Sequence, residues 1–597
     1  MSSTNYNLNI VTGEQKKTST WPALRKLIDL LPDQKGRLYL ALVIMIVYAV
    51  LTMVAPIIVG RTINKYILDK THQDYAGILR SCGWLLLIYS LNLVAVYLRT
   101  TLMGGFGQRL LFSLRNAVFN KLQELPVAFF AQNKAGDLIS RINNDTDKIN
   151  QFFSQSLMQF ISSLFIIAGA GVFLVMLNWR LGLATLAPSL LMWIFAKFVS
   201  PWVKRKNAVN LKTTGAMSGE IQESLGNFKV VLAFNRRDYF RQRFSTANNN
   251  SYRASMGAGI ANLVYTPVFG FFASMGQLVV LTYGIYLISV GQFTAGFLIS
   301  FFMYANNFYD PLKQMAALWA SFQLAIASWD RISKILSMKS DLVTLPEADA
   351  GAVAVTEPPA LLEFRHVSFQ YPGGKHVLFN NSFRMGKGKT YALVGPTGGG
   401  KTTTASLIAR LYDPTEGSIW LNGRDIRTYT PAERTKKIGF ILQEPFLFTG
   451  TVKENILYGN EEYSHFSDED LFAVLQQSGL EMLLTRFDEG LATKIVSAGD
   501  GISLGQKQLI AFIRAVLRHP ELLILDEATA NIDTVTEKML EDILVRLPAT
   551  TTRVIIAHRL NTIENADEIF FVNAGEITRA GNLEQAMDML LQGKRVS

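Results

Sequence analysis

The hydrophobic pattern divides the chain sharply. Residues 38–60 form a run of 23 without a charge, long enough to cross a bilayer as a helix. A second uncharged run covers 81–98, a third 149–179, and a fourth, 181–203, is broken only by Lys197. The run 254–309 holds 56 residues without a charge. That is too long for one span and predicts two, joined near Ser289-Val290-Gly291-Gln292. Six membrane helices are therefore expected. A charge at the bilayer centre costs about 2.5–3.5 kcal/mol, so runs this clean argue against a soluble fold. Ahead of them Leu24, Leu27, Ile28 and Leu31 repeat at helical spacing with Arg25 and Lys26 between, the pattern of a short amphipathic helix lying on a membrane surface.

The segments between the runs set the direction. Segment 204–253 holds ten Lys/Arg against three Asp/Glu, and 99–148 is rich in both signs, with Arg99, Arg109, Arg115, Lys121, Lys134, Arg141 and Lys148 among its cations. The opposite loops are short or weakly charged: Asn178-Trp179-Arg180 is one, and the turn near 291 is neutral. The positive-inside tendency places both long loops and both termini in the cytoplasm. Lys197 then lies near the cytoplasmic end of its helix, where it can snorkel. The two long loops lack Pro/Gly clusters and keep helical patterns; unstructured loops of that length are uncommon. They read as cytoplasmic extensions of the membrane helices with short cross-helices at their tips.

The composition becomes soluble after about Ala317. A linker containing Leu345-Pro346-Glu347 and Glu357-Pro358-Pro359 leads to a second domain near Leu361, where strand-like and helix-like runs alternate as in an α/β domain. The expected division is a cytoplasmic amino-terminal segment (1–37), an all-α six-helix transmembrane domain (38–330), a linker (331–360) and an α/β domain (361–597). With 597 residues, more than one core is required. Apolar residues make up 49% and charged residues 18%, against about 25% charged in soluble domains. The net charge of +11 is what basic residues flanking membrane spans produce, and does not call for a nucleic-acid partner. Cys82 is the sole cysteine, so neither an intrachain disulfide nor a cysteine metal cluster can form. The first twenty residues are polar and lack the apolar core of a cleavable signal.

Two constellations carry chemistry. Gly395-Pro396-Thr397-Gly398-Gly399-Gly400-Lys401-Thr402 follows the apolar strand Tyr391–Val394 and precedes a helix expected from Thr403 to Arg410, the context of a phosphate loop. Its glycines let backbone N–H groups close around phosphate oxygens, helped by the field of the helix N-terminus. Lys401 neutralises the β- and γ-phosphates of ATP and the Thr402 hydroxyl can ligate Mg2+. Further on, Leu522–Leu525 is a continuous apolar run, the mark of a strand buried on both faces. It ends in Asp526-Glu527, and ligands of such sheets sit at strand carboxyl ends. Asp526 is placed to hold Mg2+, directly or through water, and Glu527 to polarise an attacking water as general base.

With these motifs the chain resembles the ABC transporters, in the exporter-type half-subunit form, over nearly its whole length. The resemblance implies further roles. Tyr371, in Phe369-Gln370-Tyr371-Pro372, matches the aromatic residue that stacks on adenine. Gln443 matches the loop glutamine that senses Mg2+ and water, Asp533 stands in the D-loop, and His558 matches the switch histidine at the γ-phosphate; Thr403 continues the phosphate-loop helix. Phe129-Phe130, Gly136-Asp137-Leu138-Ile139-Ser140-Arg141 and Asp145 resemble the first cytoplasmic loop, and Glu223, Gly226 and Phe234 the second, which in the family docks on the partner subunit's domain.

Two departures stand out. The family signature Leu-Ser-Gly-Gly-Gln reads Ile502-Ser503-Leu504-Gly505-Gln506 here, with Leu504 where glycine lets the backbone approach the partner's nucleotide. Upstream, Val496 and Ser497 stand where Gly and Glu are usual. The degenerate elements are those a subunit offers to its partner's ATP, and those serving its own are intact. This resembles heterodimeric exporters with one competent and one impaired site; a homodimer with a drifted signature is the alternative. The expected function is ATP-driven export of a hydrophobic or amphipathic drug, lipid or peptide across the cell membrane, with exporter-shaped import of a metal chelate as the other open reading.

Overall fold

A computed structural model describes residues 5–8, 35–68, 74–346, 360–496, 501–526, 534–556, 564–581 and 583–592. The expected amphipathic helix at Leu24–Leu31 lies outside them. By contacts the chain forms two units: Thr12–Leu122 with Leu138–Ser337, and Met1–Val11 with Gln123–Asp137 and Met338–Ser597.

The first unit is helical. Its long helices are α1 (Lys35–Thr62), α2 (Tyr75–Gln123), α3 (Leu157–Leu177), α4 (Trp179–Gly226), α5 (Arg237–Leu263), α6 (Tyr265–Ser289) and α7 (Ala295–Ser337). Five stretches have the length and hydropathy of a span: Lys35–Ile67, Tyr75–Gln123, Ala135–Leu177, Trp179–Gly226 and Arg237–Ser289. The sixth expected span, α7, starts after the predicted turn at 289–292, but Asn306, Asn307, Asp310 and Lys313 interrupt it and hydropathy alone does not mark it. It is held by packing. Phe301, Tyr304 and Tyr309 of α7 are fully buried against Met53, Leu174, Leu181, Ala273 and Val280. The Tyr304 hydroxyl donates to the Met53 carbonyl and that of Tyr309 to the Thr185 carbonyl. These bonds satisfy hydroxyls that hydrocarbon would otherwise strand.

The cytoplasmic extensions are helical, as the sequence suggests. Helix α4 runs to Gly226, a six-residue cross-helix follows at Phe228–Ala233, and α5 returns. Arg243 on α5 ties the pair by reaching Glu220 at 2.7 Å and Glu223 at 3.2 Å on α4. Its hydrogen bonds to the carboxylates of Glu220 and then Glu223 hold its guanidinium above its ordinary range. Asp145, buried, accepts from Arg331 and Ser328 of α7, which fixes the start of the return toward α3.

The second unit contains strands β1 (Leu362–Gln370), β2 (His376–Met385), β3 (Thr390–Val394), β4 (Glu416–Leu421), β5 (Arg424–Asp425), β6 (Ile438–Ile441), β7 (Gly450–Thr451), β8 (Lys494–Ile495), β9 (Leu522–Asp526), β10 (Thr552–Ile556), β11 (Glu568–Asn573) and β12 (Glu576–Gly581). One sheet runs β12-β11-β3-β10-β9-β6, parallel except for β12; an antiparallel sheet runs β2-β1-β4-β5. Every residue of β3 and β9 is buried, which is why both read as unbroken apolar runs.

Residues 5–8 belong to this unit and are tightly held. The Tyr6 ring is 1% exposed and meets Phe129 edge-on. Its hydroxyl donates to the Lys339 carbonyl and accepts from the Asp341 N–H, while Asn133 bonds both the Tyr6 carbonyl and the Leu8 N–H. Removing a buried aromatic ring costs about 3–5 kcal/mol. Tyr6→Ala is therefore expected to speed protease cleavage within the first twenty residues by at least about tenfold at limiting protease, with Tyr6→Phe intermediate. An unchanged cleavage rate would show that the segment is not held through this ring.

Candidate functional site

The site begins at the carboxyl end of β3. The chain turns through Gly395 at φ +150°, where an added Cβ would stand 2.0 Å from the Val572 carbonyl oxygen. At Gly400, φ is +117° and a Cβ would meet Leu378 at 2.9 Å. Both positions demand glycine by conformation and by contact. Helix α8 (Lys401–Ile408) starts at once. It stops two residues before the expected Arg410, because Arg410 itself takes a left-handed conformation, φ +52°. The Arg410 guanidinium is buried and occupied by Asp413 and the Val343 carbonyl.

Lys401 is 5% exposed and its ammonium donates to the Gly395 carbonyl at 2.8 Å and the Pro396 carbonyl at 3.1 Å, inside the curl of the loop. A buried ammonium held by neutral carbonyls suits an incoming polyphosphate. Thr402 reaches across to the β9 end: its hydroxyl is 3.4 Å from Asp526 Oδ1, and Asp526 is 2% exposed. The two expected Mg2+-holding groups are thus brought together from positions 124 apart in the chain. Among the described residues no group of three His, Cys, Asp or Glu gathers. In nucleotide sites phosphates and waters supply most of the oxygens around Mg2+. Thr402 and Asp526 would hold it, and when bound it neutralises phosphate charge.

Tyr371 stands beside the loop. Its hydroxyl lies 3.0 Å from that of Thr403, and its ring is set edge-on between Phe369 (4.8 Å) and Tyr412 (5.2 Å). Phe369 and Tyr412 are support that sequence reading did not single out; Leu411-Tyr412-Asp413-Pro414 just after α8 carried the only local signal. Gln443 is exposed two residues past β6, the strand beside β9. Glu527, Asp533 and His558 lie outside the described residues; Glu527 directly follows Asp526 along the chain.

The signature stretch forms the start of helix α9 (Leu504–Val516). Ser503 caps it: Ser503 Oγ accepts from the Gln506 N–H, and Gln506 Oε1 accepts from the Ser503 N–H at 2.9 Å. This reciprocal box satisfies two donors that a helix start leaves open. Leu504 occupies the first helical position and is 37% exposed, so its side chain projects where a glycine would present bare backbone. Val496, the first of the upstream departures, is also exposed, and Ser497 lies outside the described residues.

A phosphate loop facing a buried acidic strand end, in one chain with long apolar helices, defines an ATP-driven membrane transporter. The description "ABC transporter transmembrane region" matches residues 38–312 and "ABC transporter" matches residues 378–530. The chain is 33% identical over 578 residues to the uncharacterized ABC transporter ATP-binding protein YfiC of Bacillus subtilis, covering 96% of this chain and 93% of that one. It is 30% identical over 509 residues to the fatty acid ABC transporter ATP-binding/permease protein of Mycobacterium tuberculosis, covering 85% and 79%. A multidrug resistance ABC transporter ATP-binding and permease protein of Lactococcus lactis is 29% identical over 565 residues, covering 94% and 93%. The chain belongs to the ABC transporter family and is an exporter-type half-transporter. It uses ATP with Mg2+, couples hydrolysis to transport, works as a dimer in the membrane, and keeps its ATPase domain on the cytoplasmic side.

Proposed function

We propose that this chain is the competent half of a heterodimeric exporter for a hydrophobic or amphipathic substrate. One observation carries the reading: Leu504 stands at the first turn of α9 with its side chain exposed, while Lys401, Thr402 and Asp526, which would serve the chain's own ATP, are intact and converge. A branched side chain there would keep the partner's ATP from the signature backbone. The competent site would combine this chain's phosphate loop, Gln443, Glu527 and His558 with the partner's signature. The other site would bind ATP and hydrolyse it poorly.

In the working cycle, paired ATPase domains would close on two nucleotides and drive the membrane helices outward. Lys401 would bind the phosphates, Glu527 would orient and deprotonate the attacking water, and loss of the γ-phosphate contacts would reopen the pair. The tip of the second cytoplasmic loop supports a docking role. Leu225, Phe228, Val230 and Phe234 are all at least half exposed, an apolar surface awaiting a protein partner. Relatives named for fatty acid and multidrug transport support a lipophilic substrate.

The test is purification from native membranes under mild detergent. A second, different half-transporter is expected, with glycine in its signature and no carboxylate at its counterpart of Glu527. Recovery of this chain alone as an active homodimer would overturn the heterodimer. In the assembled pair, Leu504→Gly is expected to raise turnover at the impaired site by less than about threefold, since that site's own base would still be absent. A rise to several times the wild-type rate would locate the defect in the signature instead.

A further inference from the structure

Helix α2 carries Arg99 directly after the uncharged run 81–98, where sequence alone suggests the start of a cytoplasmic loop. The structure puts its head group elsewhere. The guanidinium lies over the Tyr48 ring, 4.3 Å from its centroid. Tyr48 stands on α1 eleven residues from Arg37 and thirteen from Arg61. At 1.5 Å per residue that is about 16 Å and about 20 Å from the two charged ends of the α1 run, so Arg99, the first residue past the α2 run, turns its head group back toward the span. Snorkelling along the lipid face is not what the side chain does. Its helix neighbours Tyr97 and Leu98 are exposed, whereas Ala95 and Met103, on the Arg99 face, are buried.

Among the described residues the partners of this cation are neutral. One terminal nitrogen donates to Ser162 Oγ on α3 at 2.8 Å, Tyr48 supplies a π face, and Nε is buried with no partner. Helices α1, α2 and α3 contain no Asp or Glu. The nearest acid along the membrane part of α7, Asp310, is paired with Lys313 at 2.8 Å. Two turns along the same face of α2, Asn92 has a buried Oδ1 that also lacks a partner. An arginine at this depth without a carboxylate is costly, and intramembrane charges of this kind mark substrate pathways.

We propose that Arg99, seated by Tyr48 and Ser162, is the headgroup subsite of the transport pathway, and that the substrate is an amphipathic anion with a carboxylate or phosphate head on a lipophilic body. The proposal rests on the transport reading above and narrows its substrate class. Stacking on Tyr48 and the bond to Ser162 fix the guanidinium plane; Nε is occluded, so an oxyanion would be met by the remaining terminal N–H groups, charge-assisted donors that suit carboxylates and phosphates. Asn92 offers the next polar position toward the outer face.

The test uses the full chain with its co-purified partner in phosphatidylcholine nanodiscs, reading ATP turnover against added oleate, oleyl alcohol and oleylamine. These share a chain and differ in head charge. Oleate is expected to reach half-maximal stimulation at a concentration at least about tenfold below that of oleyl alcohol, with oleylamine weakest. Arg99→Gln should collapse the oleate-to-alcohol ratio to near one, and Arg99→Lys, which keeps the charge but loses the stacked fork, should give a ratio between that and the wild-type value. Equal potency of oleate and oleyl alcohol on the wild-type protein, or no response to any of the three, overturns the subsite even if Arg99→Gln fails to assemble. Excess acetate should leave the oleate curve in place; a shift would assign the cation to small soluble anions and overturn the amphiphile. Absence of ATP turnover under every condition would instead sink the transport reading itself.

Discussion

Glu527→Gln is expected to lower ATP turnover by about 10²–10⁴-fold, the usual contribution of a positioned general base, or about 2.7–5.5 kcal/mol of barrier. The exchange keeps size and hydrogen-bonding capacity and removes only the ability to take a proton from water. Nucleotide binding should therefore survive. Removing a negative charge close to the γ-phosphate relieves repulsion, so affinity should stay level or rise. Glu527 directly follows Asp526, the buried last residue of β9. Steady-state hydrolysis with a parallel fluorescent-nucleotide titration checks this. Turnover within about fivefold of wild type would remove Glu527 from the role of base. Because the partner's site is proposed to be impaired, a substitution in this chain alone should suffice to stop the pair.

What could be read in advance follows from how local each constraint is. A charge in hydrocarbon is costly, so α1, α2, α3 and α6 announce themselves as uncharged runs and α4 as a run broken only by Lys197. The seventh long helix is harder, because Asn306, Asn307 and Asp310 are accommodated by packing that hydropathy cannot see; Asn306, for instance, accepts from Gln277 on α6 at 2.5 Å. The phosphate loop is legible because its chemistry is contiguous, with glycine forced at 395 and 400 by backbone conformation. Asp526 is legible only through the rule that sheets place ligands at strand ends, since its partner Thr402 is 124 residues away. Tyr6 gave no signal at all. Its partners Gln132 and Asp341 are 126 and 335 residues distant, so no local pattern marks the contact. Arg99 was legible as the charge that ends an apolar run; that its guanidinium lies over the Tyr48 ring of α1 depends on helix packing and has no local signal. Glu527 was read from its place at the end of an apolar strand, and Asp533 and His558 from the resemblance to the family.

Lys401→Met should have the other large effect, on binding rather than on the chemical step. The side chains match in length, but methionine offers no charge and no N–H. In the folded loop the ammonium is buried and donates to the Gly395 and Pro396 carbonyls. Those contacts hold the loop in its curl before any phosphate arrives, and the same ammonium would then neutralise two phosphates. Truncating one partner of a buried charge pair costs about 2–5 kcal/mol, and the middle of that range weakens ATP affinity by about 300-fold. Thermal stability of the nucleotide-free protein should fall less than ATP affinity, because each bond to the Gly395 and Pro396 carbonyls contributes about 1 kcal/mol. ATP should then lose most of its power to raise the melting temperature of the variant, since stabilisation by a ligand scales with the logarithm of its concentration over Kd. Thermal shift with and without Mg-ATP separates the two effects in one experiment. A Lys401→Met protein stabilised by ATP as strongly as wild type would show that the loop grips nucleotide through its backbone alone.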